Sequence, residues 1–190
     1  MKVLLVGLGR WGEKHLRVLG ELGVEPWVAD VAADRRAFAL RAGVALARVV
    51  DDFRRALPHV DAVDVVTSAE SHLAIAIDSL RAGRDCFIEK PLTLTLGEAE
   101  RLAALASGTA RAVQVGHIFR FHPVTAVLRE HLAAGTPGRV RYCTGRFAGF
   151  KRPRHDVGVT QTDAIHYFDL FAYLLDREAT AVTATLRDHL

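Results

Sequence analysis

The stretch VLLVGLGRWG, residues 3–12, joins a short apolar run directly to three glycines spaced G-x-G-x-x-G. The apolar run predicts a buried strand, and the pattern of residues 11–22 predicts a helix behind the glycines. In such a unit Gly7 permits the tight turn, Gly9 lets the backbone approach a pyrophosphate, and Gly12 lets the helix pack on the strand. Together these features predict a phosphate-binding turn at the N-terminus of a helix.

An acid follows the next apolar run and bears on which nucleotide would bind. Asp30 lies 18 residues beyond Gly12 (30 − 12 = 18). An acid at that place hydrogen-bonds a ribose 2′-hydroxyl and repels a 2′-phosphate, which favours NAD. NADP is the alternative if Arg35 and Arg36 turn toward the pocket, and a structural turn with Asp30 as a surface charge is the other interpretation. The predicted cofactor contacts of this region are Gly7, Gly9, Arg10, Trp11, Gly12 and Asp30.

The first 120 residues alternate between short apolar runs and helical patterns, which predicts a doubly wound α/β domain over residues 1–120. Runs this apolar belong in a parallel sheet covered by helices on both faces. The predicted strands are 3–6, 27–29, 62–66, 86–88 and 112–115. The predicted helices are 11–22, 33–42, 71–81 and 96–106, the last with a capping box at Thr95 and Glu98.

Residues 121–190 have a different order of elements, which predicts a second, α+β domain. A helix is expected over 124–133 and another over the stretch TQTDAIHYFDLF, residues 160–171. Strands are expected over 139–150 and 179–186, where the pattern partly alternates.

Composition excludes several classes of protein. Half of the 190 residues are hydrophobic, a quarter are charged and the net charge is +3, without a long Lys/Arg tract, so no nucleic-acid surface is expected. The apolar runs are too short for a signal peptide core or a membrane span, which predicts a cytoplasmic protein. Cys86 and Cys143 are expected to be buried, unpaired thiols. No metal is predicted, because His117, His122 and His155 lack the close spacing of zinc ligands.

Several motifs carry a resemblance to a known family. They are VVTS (65–68), His72, RAGR (81–84), FIEKPL (87–92) and VGHIFRFHP (115–123). This pattern resembles the Gfo/Idh/MocA oxidoreductases, the glucose–fructose oxidoreductase and inositol dehydrogenase group, along nearly the whole chain. The resemblance implies an NAD(P)-binding Rossmann domain followed by a domain with an open, mostly antiparallel sheet.

The tripeptide Glu89-Lys90-Pro91 is the most specific mark of that family. It follows a predicted parallel strand, where open α/β sheets bind ligands. A cation there can hydrogen-bond a substrate hydroxyl and stabilise the developing alkoxide or carbonyl, so Lys90 is a candidate catalytic and substrate-binding residue. A surface lysine on a loop is the alternative. Further predicted cofactor contacts on this side are Thr67, Ser68, His72, Glu89, Lys90 and Pro91, although His72 also suits a helix start.

The resemblance assigns proton transfer to a histidine in a late D-x-G-x-H-x-x-D pattern. His166 and Asp169 fit this pattern, but Thr162 stands at the first acidic position and the nearest acid is Asp163. Either the backbone shifts so that Asp163 orients the imidazole, or the Thr162 hydroxyl faces the substrate instead. His166 is the candidate general base because imidazole titrates near neutral pH, and a satisfied core histidine is the alternative.

Two arginines are weaker candidates for substrate binding. Arg120 lies at the expected domain junction and either binds substrate oxygens or pairs with an acid. Arg152 belongs to a basic loop with Arg154 and His155. In the resembling family this loop lines the substrate pocket, which suits an anionic or nucleotide-linked sugar, whereas a solvated loop is equally compatible with the sequence.

These features predict an NAD(P)-dependent dehydrogenase that acts on a CH–OH group of a sugar, polyol or amino sugar. Members of the family are longer, so residues 121–190 are expected to form a short substrate and oligomerisation domain. An uncovered edge of its sheet predicts a homodimer or larger assembly. The alternatives are a catalytically impaired NAD-binding module and a subunit that pairs with another chain.

Overall fold

The structure of the chain is a computed structural model that describes residues 1–149 and 157–187. It comprises two compact units, Met1–Gly116 and His117–Leu190. In the described part of the chain, no helix is both long enough and apolar enough to cross a membrane.

The first unit, in which every residue is described, is built on a six-stranded, fully parallel sheet. Its strands are β1 Lys2–Val6, β2 Glu25–Ala29, β3 Val49–Val50, β4 Ala62–Val65, β5 Asp85–Ile88 and β6 Val113–Val115. Their order is β3-β2-β1-β4-β5-β6, so the chain reverses its direction of growth between β1 and β4. In sheets of this kind, ligands bind beyond the carboxyl ends of the strands at that reversal. The predicted doubly wound α/β fold is confirmed.

Helices cover both faces of this sheet, as parallel strands require. They are α1 Arg10–Glu21, α2 Ala33–Arg41, α3 Ala69–Arg81 and α4 Leu96–Ser107, and short 3-10 turns lie at Leu46–Arg48, Phe53–Arg55 and Leu57–His59. The predicted capping box begins α4, where Glu98 N–H donates to Thr95 Oγ1 at 3.3 Å and Thr95 N–H donates to Glu98 Oε2 at 3.1 Å.

The alternation of side chains along each strand divides the core into two layers. Leu4 and Ile88 point to one face and pack with Leu80 and Leu102 of α3 and α4. Leu5 and Val28 point to the other face and pack with residues of α1 and α2. Each of these side chains is almost completely buried, which stabilises the fold by about 1.5–3 kcal/mol per residue.

The regular secondary structure in the described residues of the second unit is helical. A 3-10 turn at Ile118–Phe121 leads to α5 Pro123–Ala133, and a π-helical turn at Thr160–Ala164 leads to α6 Ile165–Leu175. The predicted helices at 124–133 and 160–171 are therefore present.

The strands predicted in the second unit are not found in its described residues. Residues 139–149 and 179–187 contain no strand, and the rest of the first predicted strand, Phe150, lies outside the described residues. A strand forms only when its backbone hydrogen-bonds to a neighbouring strand, and an alternating residue pattern does not ensure that such a neighbour is present. Residues 145–147 instead pack on α6: Tyr167 Oη donates to the carbonyl oxygen of Arg146 at 2.7 Å. The ring of Tyr167 fills the space beside Gly145.

Substitution of Gly12 tests the close packing of α1 on the glycine turn. A Cβ at Gly12 would lie 2.1 Å from the carbonyl oxygen of Gly7, a backbone atom that cannot rotate away. We expect Gly12→Ala to lower the free energy of unfolding by about 1–3 kcal/mol or more, measured by urea denaturation. Gly20→Ala is the control, because no atom lies within 4 Å of its Cβ position in the same helix. Equal stability of the two variants would contradict this packing.

Candidate active site

The three glycines of the turn fulfil distinct roles in the structure. Gly7 has a φ of +93°, and a Cβ there would meet Thr67 Cγ2 at 2.8 Å. Gly12 brings α1 against the carbonyl of Gly7, as described above. Gly9 is exposed and has no atom within 4 Å of its Cβ position, so the outer side of the turn is open. A bound group can therefore approach the backbone at Gly9.

Helix α1 begins at the same turn and presents its N-terminus there. Gly9 is the N-cap, and no described side chain caps this end. The N–H groups of the first turn lack partners within the helix and carry its positive dipole, which suits an anion such as a pyrophosphate. Arg10 and Trp11 begin the helix and are exposed, with Trp11 exposed to 48%.

Asp30 is fixed beside the turn by two backbone hydrogen bonds. Its Oδ2 accepts from Leu8 N–H at 2.7 Å and its Oδ1 accepts from Ala32 N–H at 2.8 Å. Each carboxylate oxygen retains a second acceptor site for a hydroxyl donor. Arg35 donates to Glu13 Oε1 at 2.9 Å, and Arg36 donates to the carbonyl oxygens of Asp30 and Val31 at 2.8 and 2.9 Å. An open turn beside a fixed carboxylate fits a dinucleotide whose ribose carries a free 2′-hydroxyl.

The Lys90 segment leaves the carboxyl end of β5. Glu89 N–H donates to the carbonyl oxygen of Val65 at 2.9 Å, which anchors the segment to the end of β4. Lys90 N–H donates to Glu89 Oε2 at 3.1 Å, and the Lys90–Pro91 peptide bond is cis. The side chain of Lys90 is half-buried. The segment thus lies at the edge of the sheet where ligands are expected.

His72, predicted either to contact the cofactor or to stand at a helix start, is buried and contacts two backbone carbonyl groups. Its side chain is only 1% exposed. The two ring nitrogens lie 3.0 Å from the carbonyl oxygens of Pro91 and Thr67. His72 therefore ties the segment after β5 to the segment after β4. Thr67, beside Gly7, accepts from Ser71 Oγ at 2.7 Å, and Ser68 is the exposed N-cap of α3.

A largely buried cluster of charges links α1, β4 and the segment that follows β5. His15 Nδ1 on α1 lies 2.9 Å from Asp64 Oδ2 on β4, and His15 Nε2 lies 3.3 Å from Glu89 Oε1. Oδ1 of Asp64 is buried without a hydrogen-bond partner among the described residues. Asp64 faces the same layer as Leu5, with which it is in register.

The electrostatics of this cluster favour a protonated imidazole. Burial is the largest single influence and lowers the pKa of His15. The hydrogen bonds and charges of Asp64 and Glu89 together outweigh it and raise that pKa to about 9. Burial also raises the pKa of Asp64 against the lowering effect of His15. A cationic His15 bridging two carboxylates is the resulting state near neutral pH.

In the second unit, His166 is surrounded by aromatic rings. Its side chain is 9% exposed and its ring centroid lies 4.8 Å from that of Phe119, edge to face, and 5.9 Å from that of Phe147. Asp163 lies in the π-helical turn just before α6. Thr162 is buried, and its hydroxyl donates to the carbonyl oxygen of Gly158 at 3.2 Å.

Arg120 is committed to an ion pair within the second unit. Its Nε lies 2.8 and 2.9 Å from the two carboxylate oxygens of Asp169, and its guanidinium stacks over the ring of Tyr173 at 4.8 Å. The hydrogen bond to Asp169 raises the pKa of Arg120. The pairing with an acid is therefore the alternative that the geometry favours.

Two further sequence-based predictions concern a basic loop and metal binding. Arg152, Arg154 and His155 lie outside the described residues. Within residues 1–149 and 157–187, no three His, Cys, Asp or Glu side chains are grouped as metal ligands would be.

The sequence of the first unit also matches a family model. Residues 1–117 match the model of the Gfo/Idh/MocA family, described as an oxidoreductase family with an NAD-binding Rossmann fold. The chain belongs to this family. The resemblance carried by the Glu89-Lys90-Pro91 tripeptide and its neighbouring motifs is thereby confirmed.

Two relatives of this Gfo/Idh/MocA chain are named as dehydrogenases. UDP-N-acetylglucosamine 3-dehydrogenase of Acidithiobacillus ferrooxidans is 34% identical over 185 residues, which cover 97% of this chain and 57% of that protein. The scyllo-inositol 2-dehydrogenase (NAD(+)) of Bacillus subtilis is 30% identical over 176 residues, which cover 88% of this chain and 44% of that protein. The chain spans about half the length of the curated relatives it matches.

Two solved structures of dehydrogenases have a similar fold. A probable dehydrogenase from Thermotoga maritima superposes with a TM-score of 0.78 at 25% identity, covering 94% of this chain and 56% of that one. A scyllo-inositol dehydrogenase from Lactobacillus casei with bound NAD(H) and scyllo-inositol gives a TM-score of 0.77 at 20% identity, covering 92% and 56%. At this identity, the second likeness concerns the fold alone.

His15 and Asp64 of this Gfo/Idh/MocA chain were not predicted as site residues from the sequence. A signal was present in both cases. Asp64 is a charged residue within the otherwise apolar run 62–66, and His15 is three residues beyond Gly12 on a helix that had to pack against the sheet. A buried acid in a parallel strand requires a partner, and a histidine on the facing helix can supply one.

The pH dependence of stability tests the charge state of His15. Its pKa is raised in the folded state, so the protonated form stabilises the fold fully below about 6.5 and loses this contribution as pH rises through about 9. A difference of this size corresponds to roughly 3 kcal/mol. We therefore expect the stability advantage of the wild type over His15→Gln to shrink by that amount across this window, measured by urea denaturation.

His59→Gln serves as the control for this experiment, because His59 is an exposed histidine of the same unit stacked on Trp27. Its stability difference from the wild type should not follow the same curve. A His15→Gln difference that stays constant from pH 6.5 to 9 would contradict a raised pKa.

Proposed function

We propose that this chain functions as an NAD-dependent dehydrogenase. It transfers a hydride between nicotinamide and a hydroxyl-bearing carbon of a sugar, polyol or amino sugar. The observation that carries the proposal is the open glycine turn with Asp30 fixed beside it, at the edge of the sheet from which the Lys90 segment emerges. Relatives named as inositol and UDP-N-acetylglucosamine dehydrogenases support this substrate class, which includes nucleotide-linked sugars.

The cofactor contacts proposed are those of the turn and the adjoining strand ends. The N-terminus of α1 and the backbone at Gly9 bind the pyrophosphate, and Asp30 accepts hydrogen bonds from the ribose hydroxyls. Asp30 makes NAD the preferred cofactor over NADP, because a 2′-phosphate would meet a carboxylate. When bound, NAD supplies the carbon that accepts the hydride. The other proposed contacts are Gly7, Arg10, Trp11, Gly12, Thr67, Ser68, Glu89, Lys90 and Pro91.

Lys90 is the proposed electrophilic group. An ammonium that hydrogen-bonds the substrate hydroxyl stabilises negative charge as it develops on that oxygen. The backbone of Lys90 is fixed by its hydrogen bond to Glu89 and by the anchor at Val65, so the side chain starts from a defined position.

His166 is the proposed acceptor of the hydroxyl proton. Its imidazole is nearly buried between Phe119 and Phe147, which restricts its rotation. Of the two possible helpers we propose Asp163, because the hydroxyl of Thr162 already donates to the helix backbone. The π-helical turn at Thr160–Ala164 supports this choice, since its i→i+5 bonds accommodate one more residue than an α turn.

Substitution of Lys90 and His166 tests the proposed chemistry. We expect Lys90→Met and His166→Asn to lower kcat by about 10²–10⁴-fold, since each removes a group that acts on the proton or the oxygen. Turnover is measured with NAD and a panel of inositols, hexoses and UDP-N-acetylglucosamine, and NAD affinity by calorimetry. Lys2→Met and His131→Gln change exposed residues and serve as controls. Turnover at the wild-type level in either variant would refute its assigned role, and a wild type inactive on the whole panel would refute the proposed function.

A second pair of variants decides which residue assists His166. If Asp163 orients the imidazole, Asp163→Asn lowers kcat about tenfold or more and shifts the acidic limb of its pH profile. Thr162→Val removes a hydroxyl that donates to the carbonyl oxygen of Gly158, so in this proposal its kcat stays close to that of the wild type. The opposite result, a loss confined to Thr162→Val, would assign the role to the threonine.

The remaining predicted substrate contacts differ in their support. The engagement of Arg120 with Asp169 makes it a structural residue of the second unit in this proposal. Arg152 stays a prediction, because it lies outside the described residues. A catalytically impaired NAD-binding module is not proposed, since no observation favours it over the dehydrogenase.

Assembly and location are also proposals. Homo-oligomerisation is supported by an apolar stripe on α5, where Val124, Val127 and Leu128 are exposed to 56%, 51% and 45% at helical spacing. A monomer by light scattering at micromolar concentration would contradict it. A cytoplasmic location is supported by the two cysteines, which are free thiols, as a reducing compartment favours. Cys86 is buried as predicted, whereas Cys143 is exposed, contrary to its predicted burial.

A further inference from the structure

The carboxylate of Glu89 is confined on three sides. Its Oε1 lies 3.3 Å from His15 Nε2, and its Oε2 accepts the N–H of Lys90 at 3.1 Å. On the third side is Gly116, where an added Cβ would lie 3.1 Å from Oε1 and 3.3 Å from Cδ of Glu89. The Glu89 carboxylate therefore has little freedom to move. Because the Lys90 N–H donates to it, groups that fix this carboxylate also fix the backbone of Lys90.

His15 is itself held in place from the opposite side. Its Nδ1 lies 2.9 Å from Asp64 Oδ2, so rotation of the ring toward another partner would leave a buried carboxylate unpaired. Asp64 is 6% exposed and belongs to the central strand β4. Breaking a buried charge pair on one side is costly, which makes the bridge a rigid link.

We propose that His15 is a positioning residue that holds the Lys90 segment through the carboxylate of Glu89. The inference rests on the function proposed above, in which Lys90 acts on the substrate. His15 stands on α1, the helix whose N-terminus forms the phosphate-binding turn. One helix therefore sets the position of both the cofactor phosphates and the lysine.

The bridge depends on a proton. Protonated imidazole donates from both nitrogens, to Asp64 on β4 and to Glu89 after β5, whereas neutral imidazole donates from one only. These two carboxylates are the charged groups that contact His15 from the elements packed against it, and the ring of Phe87 lies 6.0 Å away. When His15 loses its proton, it can no longer donate to both Asp64 and Glu89. The link from β4 through His15 to Glu89 is then broken at one end, so Lys90 is held less firmly at alkaline pH.

Amide hydrogen exchange at Lys90 tests the proposal without requiring activity. In His15→Gln we expect the Lys90 amide to exchange about tenfold faster than in the wild type, because its acceptor has lost a charge-assisted partner. The amide of Val66, which donates to the carbonyl oxygen of Val6 at 2.9 Å, reports global opening and should change no more than the stability does. His59→Gln is the matched histidine control. An unchanged Lys90 rate relative to Val66 would overturn the proposal.

Gly116→Ala provides a second route that leaves every charge in place. Its Cβ displaces the Glu89 carboxylate by a few tenths of an ångström, so the Lys90 amide should again exchange faster. If His15→Gln does not fold, a wild-type NMR titration replaces it. The Lys90 amide shift must then follow the same midpoint as His15 Cε1–H, and separate midpoints would overturn the proposal.

Kinetics separate this inference from the proposed function. In an active enzyme, His15→Gln should lower kcat about tenfold, a larger factor than any accompanying loss of NAD affinity, and should move the alkaline limb of the kcat profile. A wild type without turnover would refute the proposed function, while amide exchange would still decide whether His15 holds Lys90. Faster exchange without any change in kcat or its pH profile would overturn the catalytic relevance of the bridge.

Discussion

The first unit depends on the contact between helix α1 and the backbone of the glycine turn. At Gly12 the helix lies so close to the carbonyl of Gly7 that no side chain fits between them. This approach aims the N-terminus of α1 along the turn and brings Leu16 into the layer under α1 and α2. It also carries His15 onto the sheet, within reach of Asp64 and Glu89. The proposed phosphate site, the core packing and the charge cluster therefore depend on the same contact.

The sequence predicted the parts of the fold that are encoded locally. The parallel strands were visible because strands buried on both faces are apolar runs, and the turn was visible because its geometry requires glycine at fixed spacing. The capping box of α4 is likewise confined to four residues. Strand β3 was missed because it has only two residues, Val49 and Val50, too few for any periodicity.

What depends on distant residues was harder to predict. His15 and Asp64 are 49 positions apart, and only the folded sheet brings them together. His72 was predicted to contact the cofactor from its place after a strand, and nothing in the sequence indicated that its ring nitrogens would lie beside two backbone carbonyls. The strands predicted at 139–150 and 179–186 are not found in the described residues for a related reason. The residue pattern of a strand does not show which other strand would pair with it. The paired state of Arg120 was one of two alternatives that only coordinates could separate.

The two edges of the parallel sheet are also its shortest strands, with two residues in β3 and three in β6. A short edge exposes few unpaired backbone N–H and C=O groups, and natural proteins use this to prevent unwanted strand addition. The first unit is thus poorly suited to recruit another chain by extending its sheet. Other molecules can therefore contact this unit through its side chains or at the open glycine turn. The main-chain groups available for binding are those of the turn, where the cofactor is proposed to bind.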